Sequence, residues 1–136
     1  MADELRAALE AVNGTSPFNR FAGVEIVSAE PGRVAIAISA RPELLNHAGA
    51  LHAGVQSALL DTVCGYAAGS IAGNVVTLQL GLNYLNSAKG ERFEARAELS
   101  KVGRSELFAE ARLYASRDGV ELLCATATAV LAKAGG

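Results

Sequence analysis

Apolar residues recur along this chain first with a period near 3.6 and later with a period of 2, and the change of period divides it. Within residues 1–14, Leu5, Ala8, Leu9 and Val12 of the stretch 3–12 fall on one stripe, which predicts an amphipathic helix ended by Asn13-Gly14. Ser16-Pro17-Phe18 offers the start of a further helical turn. Val34, Ile36 and Ile38 then alternate with Ala35, Ala37 and Ser39, a strand entered from the turn Glu30-Pro31-Gly32. Residues 41–52 read as a loop running into His52-Ala53-Gly54. The stretch from about 53 to 72 reads as one long helix, apolar nearly all round and therefore buried on most sides.

Beyond Gly73-Asn74 alternation takes over. Residues 76–84 place Val76, Leu78, Leu80, Leu82 and Tyr84 opposite Thr77, Gln79, Gly81 and Asn83, as a central strand would. Strands follow over 93–99, 105–115 and 120–131. Turns at Lys89-Gly90, Gly103-Arg104 and Asp118-Gly119 predict antiparallel pairing of consecutive strands, and residues 133–136 a frayed tail. A buried helix followed by a meander is an α+β arrangement in a single domain spanning 1–136. Alanines on the strand faces (Ala35, Ala37, Ala95, Ala97, Ala109, Ala111, Ala125 and Ala127) let the helix approach closely, so that the antiparallel sheet wraps around it.

Composition narrows the function. With 51% apolar and 19% charged residues the chain has material for a core, and a net charge of −2 offers no basic field for nucleic acid. Aromatics make up 5%, with no Trp, so base-stacking platforms are not expected. Two histidines and two distant cysteines, Cys64 and Cys124, make no metal-ligand set, and the cysteines fit a reducing compartment. The acidic start Met1-Ala2-Asp3-Glu4 lacks the basic and apolar regions of a signal peptide, which points to the cytoplasm. The uncharged run from Thr62 to Ala88 is long enough to span a membrane, but Gly65, Gly69, Gly73, Asn74, Gln79, Asn83 and Asn86 interrupt it.

That uncharged run isolates one residue. Between Glu43 and Lys89, Asp61 is the only Asp, Glu, Lys or Arg. An ionised carboxylate in an apolar helix costs several kcal/mol unless it is paired, and such groups cluster at functional sites. Asp61 therefore reads as a general base or nucleophile whose pKa burial raises, against the plainer reading of a helix Asp facing a polar crevice. Just before the helix, Asn46-His47-Ala48-Gly49-Ala50-Leu51-His52-Ala53-Gly54 leads into a helix N-terminus, whose free N–H groups and dipole suit an oxyanion. Asn46 and His52 have plain alternatives, as turn cap and helix-start residue, and Thr77 as an ordinary strand residue.

Asn46, Gly49, His52 and Gly54, followed by Asp61, resemble the N-x-x-G-x-x-H-G-G…D pattern of hotdog-fold acyl-CoA thioesterases, most closely the PaaI-like group of the phenylacetate pathway. Thr77 to Leu85 is similar to that group's central strand, and Val102-Gly103-Arg104 to its strand-turn-strand. The first Gly of H-G-G is Ala53 here. The resemblance, over roughly residues 18–131, implies hydrolysis of an acyl- or aryl-acyl-CoA thioester, with no cofactor beyond the coenzyme A of the substrate. It implies Asp61 as base or nucleophile, the Ala53 N–H as oxyanion donor, and Asn46 orienting substrate or water. His52 would support the loop and Thr77 would position the attacking water. Gly54 gives close backbone approach, and Lys101 and Arg104 are candidates for the nucleotide end of coenzyme A.

Helix geometry adds an argument of its own. Ala53 and Asp61 are eight residues apart, about 12 Å along one axis, whereas both groups must come within roughly 3 Å of the reacting atoms. A two-fold homodimer with antiparallel helices would bring Ala53 of one subunit to Asp61 of the other. The resemblance implies the same, and beyond it a dimer of dimers. The rival readings are a hotdog hydratase or dehydratase, whose acidic position near Tyr66 is absent, and a non-catalytic acyl-CoA-binding domain, which leaves Asp61 without purpose. Cys64, one turn after Asp61, has no base to activate it.

Overall fold

The computed structural model describes residues 2–134. Two helices, α1 (Ala2–Thr15) and α2 (Pro17–Ala22), precede strands β1 (Glu25–Glu30) and β2 (Arg33–Ser39). A short 3-10 turn (Pro42–Leu44) leads to the long helix α3 (Ala53–Ala72), then β3 (Val75–Tyr84), β4 (Arg92–Val102), β5 (Glu106–Arg117) and β6 (Val120–Lys133). The strands form one antiparallel sheet in the order β1-β2-β4-β5-β6-β3, and α3 lies across one face of it. This is the α+β arrangement that the alternation of apolar residues predicts, and the hotdog fold that the resemblance implies. Among the described residues no helix is long and apolar enough to cross a membrane.

The core lies between α3 and the sheet. Leu59, Leu60, Val63, Cys64, Ala67 and Ala68 of α3 are buried against Val34, Ile36, Phe93, Ala95, Leu107, Ala109, Leu113, Ala125 and Leu131. Burying Leu59, Leu60 and Val63 contributes roughly 1.5–3 kcal/mol each. That outweighs about 1 kcal/mol for each of Gly65 and Gly69 within the helix. The register puts the helix-facing alanines Ala97, Ala111 and Ala127 side by side across β4, β5 and β6. Ala35 and Ala37 pair with Arg96 and Glu94, so they stand on the outer face and do not make room for α3 as expected.

The pairing departs from a simple meander. β3 is not a central strand: it joins β6 at the edge of the sheet, and residues 85–91 carry the chain across the strand ends to β4. Leu85 and Asn86 N–H donate to Cys124 O, and Glu91 N–H to Ser116 O, along this crossing. Lys89-Gly90 therefore lies in a crossover and not in a hairpin, while the other two turns are hairpins. β1 was not apparent in the alternation. Its buried residues Ile26 and Ala29 are three apart because a bulge falls between Ile26 and Ser28. The expected tail is partly structured: β6 runs to Lys133 and Ala134 N–H donates to Asn74 O, with Gly135 and Gly136 outside the described residues.

Candidate active site

The entry to α3 is held by many short bonds. His52 is the N-cap, and its Nδ1 accepts from Gly54 N–H at 2.8 Å, which leaves the ring proton of the neutral imidazole on Nε2. A Cβ on Gly54 would meet that ring at 3.0 Å, so glycine there makes room for the imidazole. Asn46 caps its own turn, its Oδ1 accepting from Ala48 and Ala50 N–H at 2.9 and 3.1 Å. The plainer expectation for Asn46 thus holds for its oxygen, while its Nδ2 has no partner among the described residues. Val55 and Gln56 N–H both donate to His52 O. Ala53 N–H has no partner among the described residues, and it is exposed at the positive end of a 20-residue helix.

Asp61 lies two turns further along. In a single chain it is half-buried, not enclosed as its apolar surroundings in sequence led one to expect. Its Oδ1 accepts from the Thr77 hydroxyl at 2.7 Å. Strict alternation would turn Thr77 away from the face that carries Leu80 and Leu82. A bulge at Leu78, between Thr77 and Gln79, reverses the parity and turns Thr77 onto the helix side. Cys64, one turn on, is fully buried, and burial together with the Asp61 charge pushes its thiol up to about 12, so it stays protonated and inert.

Asn46 and Ala53 line one hollow, of about 310 Å³, together with Gln56, Tyr84, Asn86 and Ser87. Asp61 and Thr77 line another, of about 500 Å³, between the apolar stripe of α1 (Leu5, Leu9, Val12) and Gly65, Gly69 and Tyr66 of α3. Around Gly65 and Gly69 nothing lies within 4 Å of where a Cβ would stand, so the floor of this groove is open. Tyr66 closes its far side, its hydroxyl donating to Asn13 Oδ1 at 2.8 Å and accepting from Asn19 Nδ2 at 3.0 Å. Lys101 and Arg104 sit exposed at the β4–β5 turn and line neither hollow. The sequence reading missed Tyr84, whose hydroxyl donates to Ala53 O at 3.1 Å, and Gln56; a lone Gln in an apolar first turn was the available signal.

Residues 48–122, more than half of the chain, match the thioesterase superfamily. The chain belongs to that superfamily. A thioesterase family protein from Silicibacter pomeroyi is 40% identical, with a TM-score of 0.91 over 94% of this chain and 96% of that one. Human acyl-coenzyme A thioesterase 13 is 29% identical over 112 residues, 79% of this chain and 80% of the relative. The PaaI protein of the phenylacetic acid degradation operon of E. coli, at 17% identity, shares the fold, with a TM-score of 0.88 over 99% of this chain and 96% of that one. In this thioesterase-superfamily chain the matched segment runs from the loop before α3 through β3, β4 and β5, and so contains Asp61, Ala53 and Thr77.

Proposed function

We propose that this protein hydrolyses an acyl- or aryl-acyl-CoA thioester to the free acid and coenzyme A, using sites shared between two copies of the chain. The observation that carries the reading is the division of labour between the two hollows. One offers a carboxylate held by a hydroxyl, the other an unpartnered helix N-terminal N–H, and eight residues of α3 separate them by about 12 Å. Antiparallel helices in a two-fold dimer bring Asp61 opposite Ala53 of the partner subunit.

Asp61 then takes a proton from water as the water oxygen bonds to the thioester carbon, or attacks that carbon itself. The second route forms a mixed anhydride that water hydrolyses after the thiol has left, freeing the acid and the carboxylate. The carbonyl oxygen gains negative charge facing the Ala53 N–H of the partner subunit, a donor fixed before the reaction begins. Collapse breaks the carbon–sulfur bond, and the thiolate leaves as the thiol once protonated. The Thr77 hydroxyl aims the carboxylate and the water. Asn46 Nδ2 supplies a second donor beside Ala53 and His52 braces the cap. The groove along Gly65 and Gly69 takes the acyl group, which the apolar face of α1 covers. Lys101 and Arg104 meet the phosphates of the nucleotide end. No cofactor is needed beyond the coenzyme A of the substrate, the dimers pair into a tetramer, and the enzyme works in the cytoplasm.

A panel of aryl-, short- and long-chain acyl-CoA thioesters, with thiol release followed, tests the activity. Asp61→Asn keeps shape and most hydrogen bonding but removes the base, so turnover is expected to fall by at least about 10²-fold in a folded protein. A folded Asp61→Asn enzyme with wild-type turnover would make Asp61 structural and bring forward the acyl-CoA-binding reading. Ala53→Pro replaces the N–H by a ring carbon, at a helix position where proline is tolerated. Mixing inactive Asp61→Asn and Ala53→Pro subunits is expected to restore activity, because each heterodimer regains one complete site.

A further inference from the structure

The first turn of α3 carries one polar side chain that this chemistry leaves unused. Gln56 is 6% exposed, and its carboxamide lines the hollow that holds Asn46 and Ala53. Its Nε2 donates to Leu51 O at 2.9 Å, while its Oε1 is buried without a partner. The orphan is not a matter of which way the amide points, since turning it would set Oε1 against the Leu51 carbonyl. The bond made contributes about 0.5–1.5 kcal/mol, and the orphaned acceptor costs about 1–3 kcal/mol. Stability alone therefore gives no reason for an amide at this position.

What the amide does is fix a carbonyl. Leu51 N–H donates to Ala88 O at 2.9 Å and His52 N–H to Leu44 O at 3.0 Å, while His52 O accepts from Val55 and Gln56 N–H. Leu51 O is held by the Gln56 side chain. The next N–H along the chain that has no partner is that of Ala53. Without the amide, the Leu51–His52 peptide plane keeps only the bond from His52 N–H to Leu44 O, and the Leu51 carbonyl can tilt about that bond toward the open hollow and take a water. The N-cap then shifts, and the Ala53 N–H with it.

We propose that Gln56 is a positioning residue for the oxyanion donor: by clamping the Leu51 carbonyl it aims the Ala53 N–H into the hollow. The inference rests on the reading of Ala53 as that donor. Gln56→Met has the same length and no hydrogen-bonding group. It is expected to lower kcat about tenfold, with KM within about twofold. Its melting temperature should change little, because losing the Gln56 orphan offsets freeing Leu51 O. Should Met lower the melting temperature, Gln56→Leu gives the same comparison. Unchanged kcat in either folded variant overturns the proposal.

Mixed subunits separate this role from a merely structural one. If Gln56 serves Ala53 of its own chain, it serves the site whose Asp61 lies on the other chain. A heterodimer of Gln56→Met with Asp61→Asn then keeps one intact site and is expected to turn over at the wild-type rate per working site. The same tenfold loss as in the Gln56→Met homodimer, alongside restored activity in the Ala53→Pro mixture, overturns the positioning role. Failure of both mixtures overturns the shared site itself.

Discussion

The two edges of the sheet are built to opposite ends. At the β1 edge, Glu25, Ser28 and Glu30 are exposed, a bulge twists the strand, and α1 packs alongside. The Arg6 guanidinium reaches from α1 to donate to Ile26 O at 2.7 Å and Val27 O at 3.0 Å, so backbone acceptors there are already taken. The β3 edge is bulged too, at Leu78, but it lacks the charge. Its ten residues carry no charge, and Val76 and Leu78 are 51% and 58% exposed. Charge, bulges and cover are the devices that keep edges from pairing, whereas a long apolar edge invites a partner strand. One edge is closed and the other is left open beside Thr77, where the proposed shared site calls for a second copy.

Charging the open edge should therefore have the largest effect. Val76→Lys with Leu78→Lys gives β3 the protection that β1 already has. These side chains are exposed in the single chain, so folding is expected to survive. Sedimentation should report monomers, and thioester hydrolysis should fall by about 10³-fold, the upper range for losing an oxyanion donor. An active monomer would end the shared-site reading and leave the edge without a function.

The bulge at Leu78 sharpens the contrast, because it serves the site and not the edge. Thr77→Val keeps the shape and removes the hydroxyl that meets Asp61. Turnover is expected to fall about tenfold with the oligomer intact, which would separate aiming the carboxylate from assembling the dimer. A loss of assembly in this variant would mean that Thr77 acts on the edge instead.

The same two bulges mark the limit of what the sequence discloses. The period of apolar residues placed α3 at its observed bounds and set Leu107, Ala109, Ala111 and Leu113 on the core face, because burial of a face writes itself into local spacing. A bulge breaks that link. At Val27 it hid β1 altogether, and at Leu78 it put Thr77 on the face that alternation denies it. Strand order was hidden for a different reason, since β3 takes its partners from the far end of the chain, Tyr84 pairing with Ala125 and Val75 with Lys133, and not from the next turn. Asp61 stood out through its charge, whereas Gln56 and Tyr84 bond to backbone carbonyls, partners that the period of apolar residues does not record.

The smallest effect is expected at the closed edge. Arg6→Ala removes both bonds to the β1 carbonyls and the pair with Glu10 at 3.4 Å. The side chain is 44% exposed, so water replaces much of what is lost, and the cost should be about 1 kcal/mol, seen as a melting temperature lower by roughly 3–5 °C. Activity should not change, since Arg6 lies at the edge remote from β3. The informative readout is association. If Arg6 is what denies β1 to other strands, the variant should form species larger than wild type as concentration rises, and Arg6→Lys, which still presents a charge, should not. If Arg6→Ala lowers the melting temperature without new association, then α1 suffices to close this edge, and the difference between β1 and β3 lies in cover more than in the charge of Arg6.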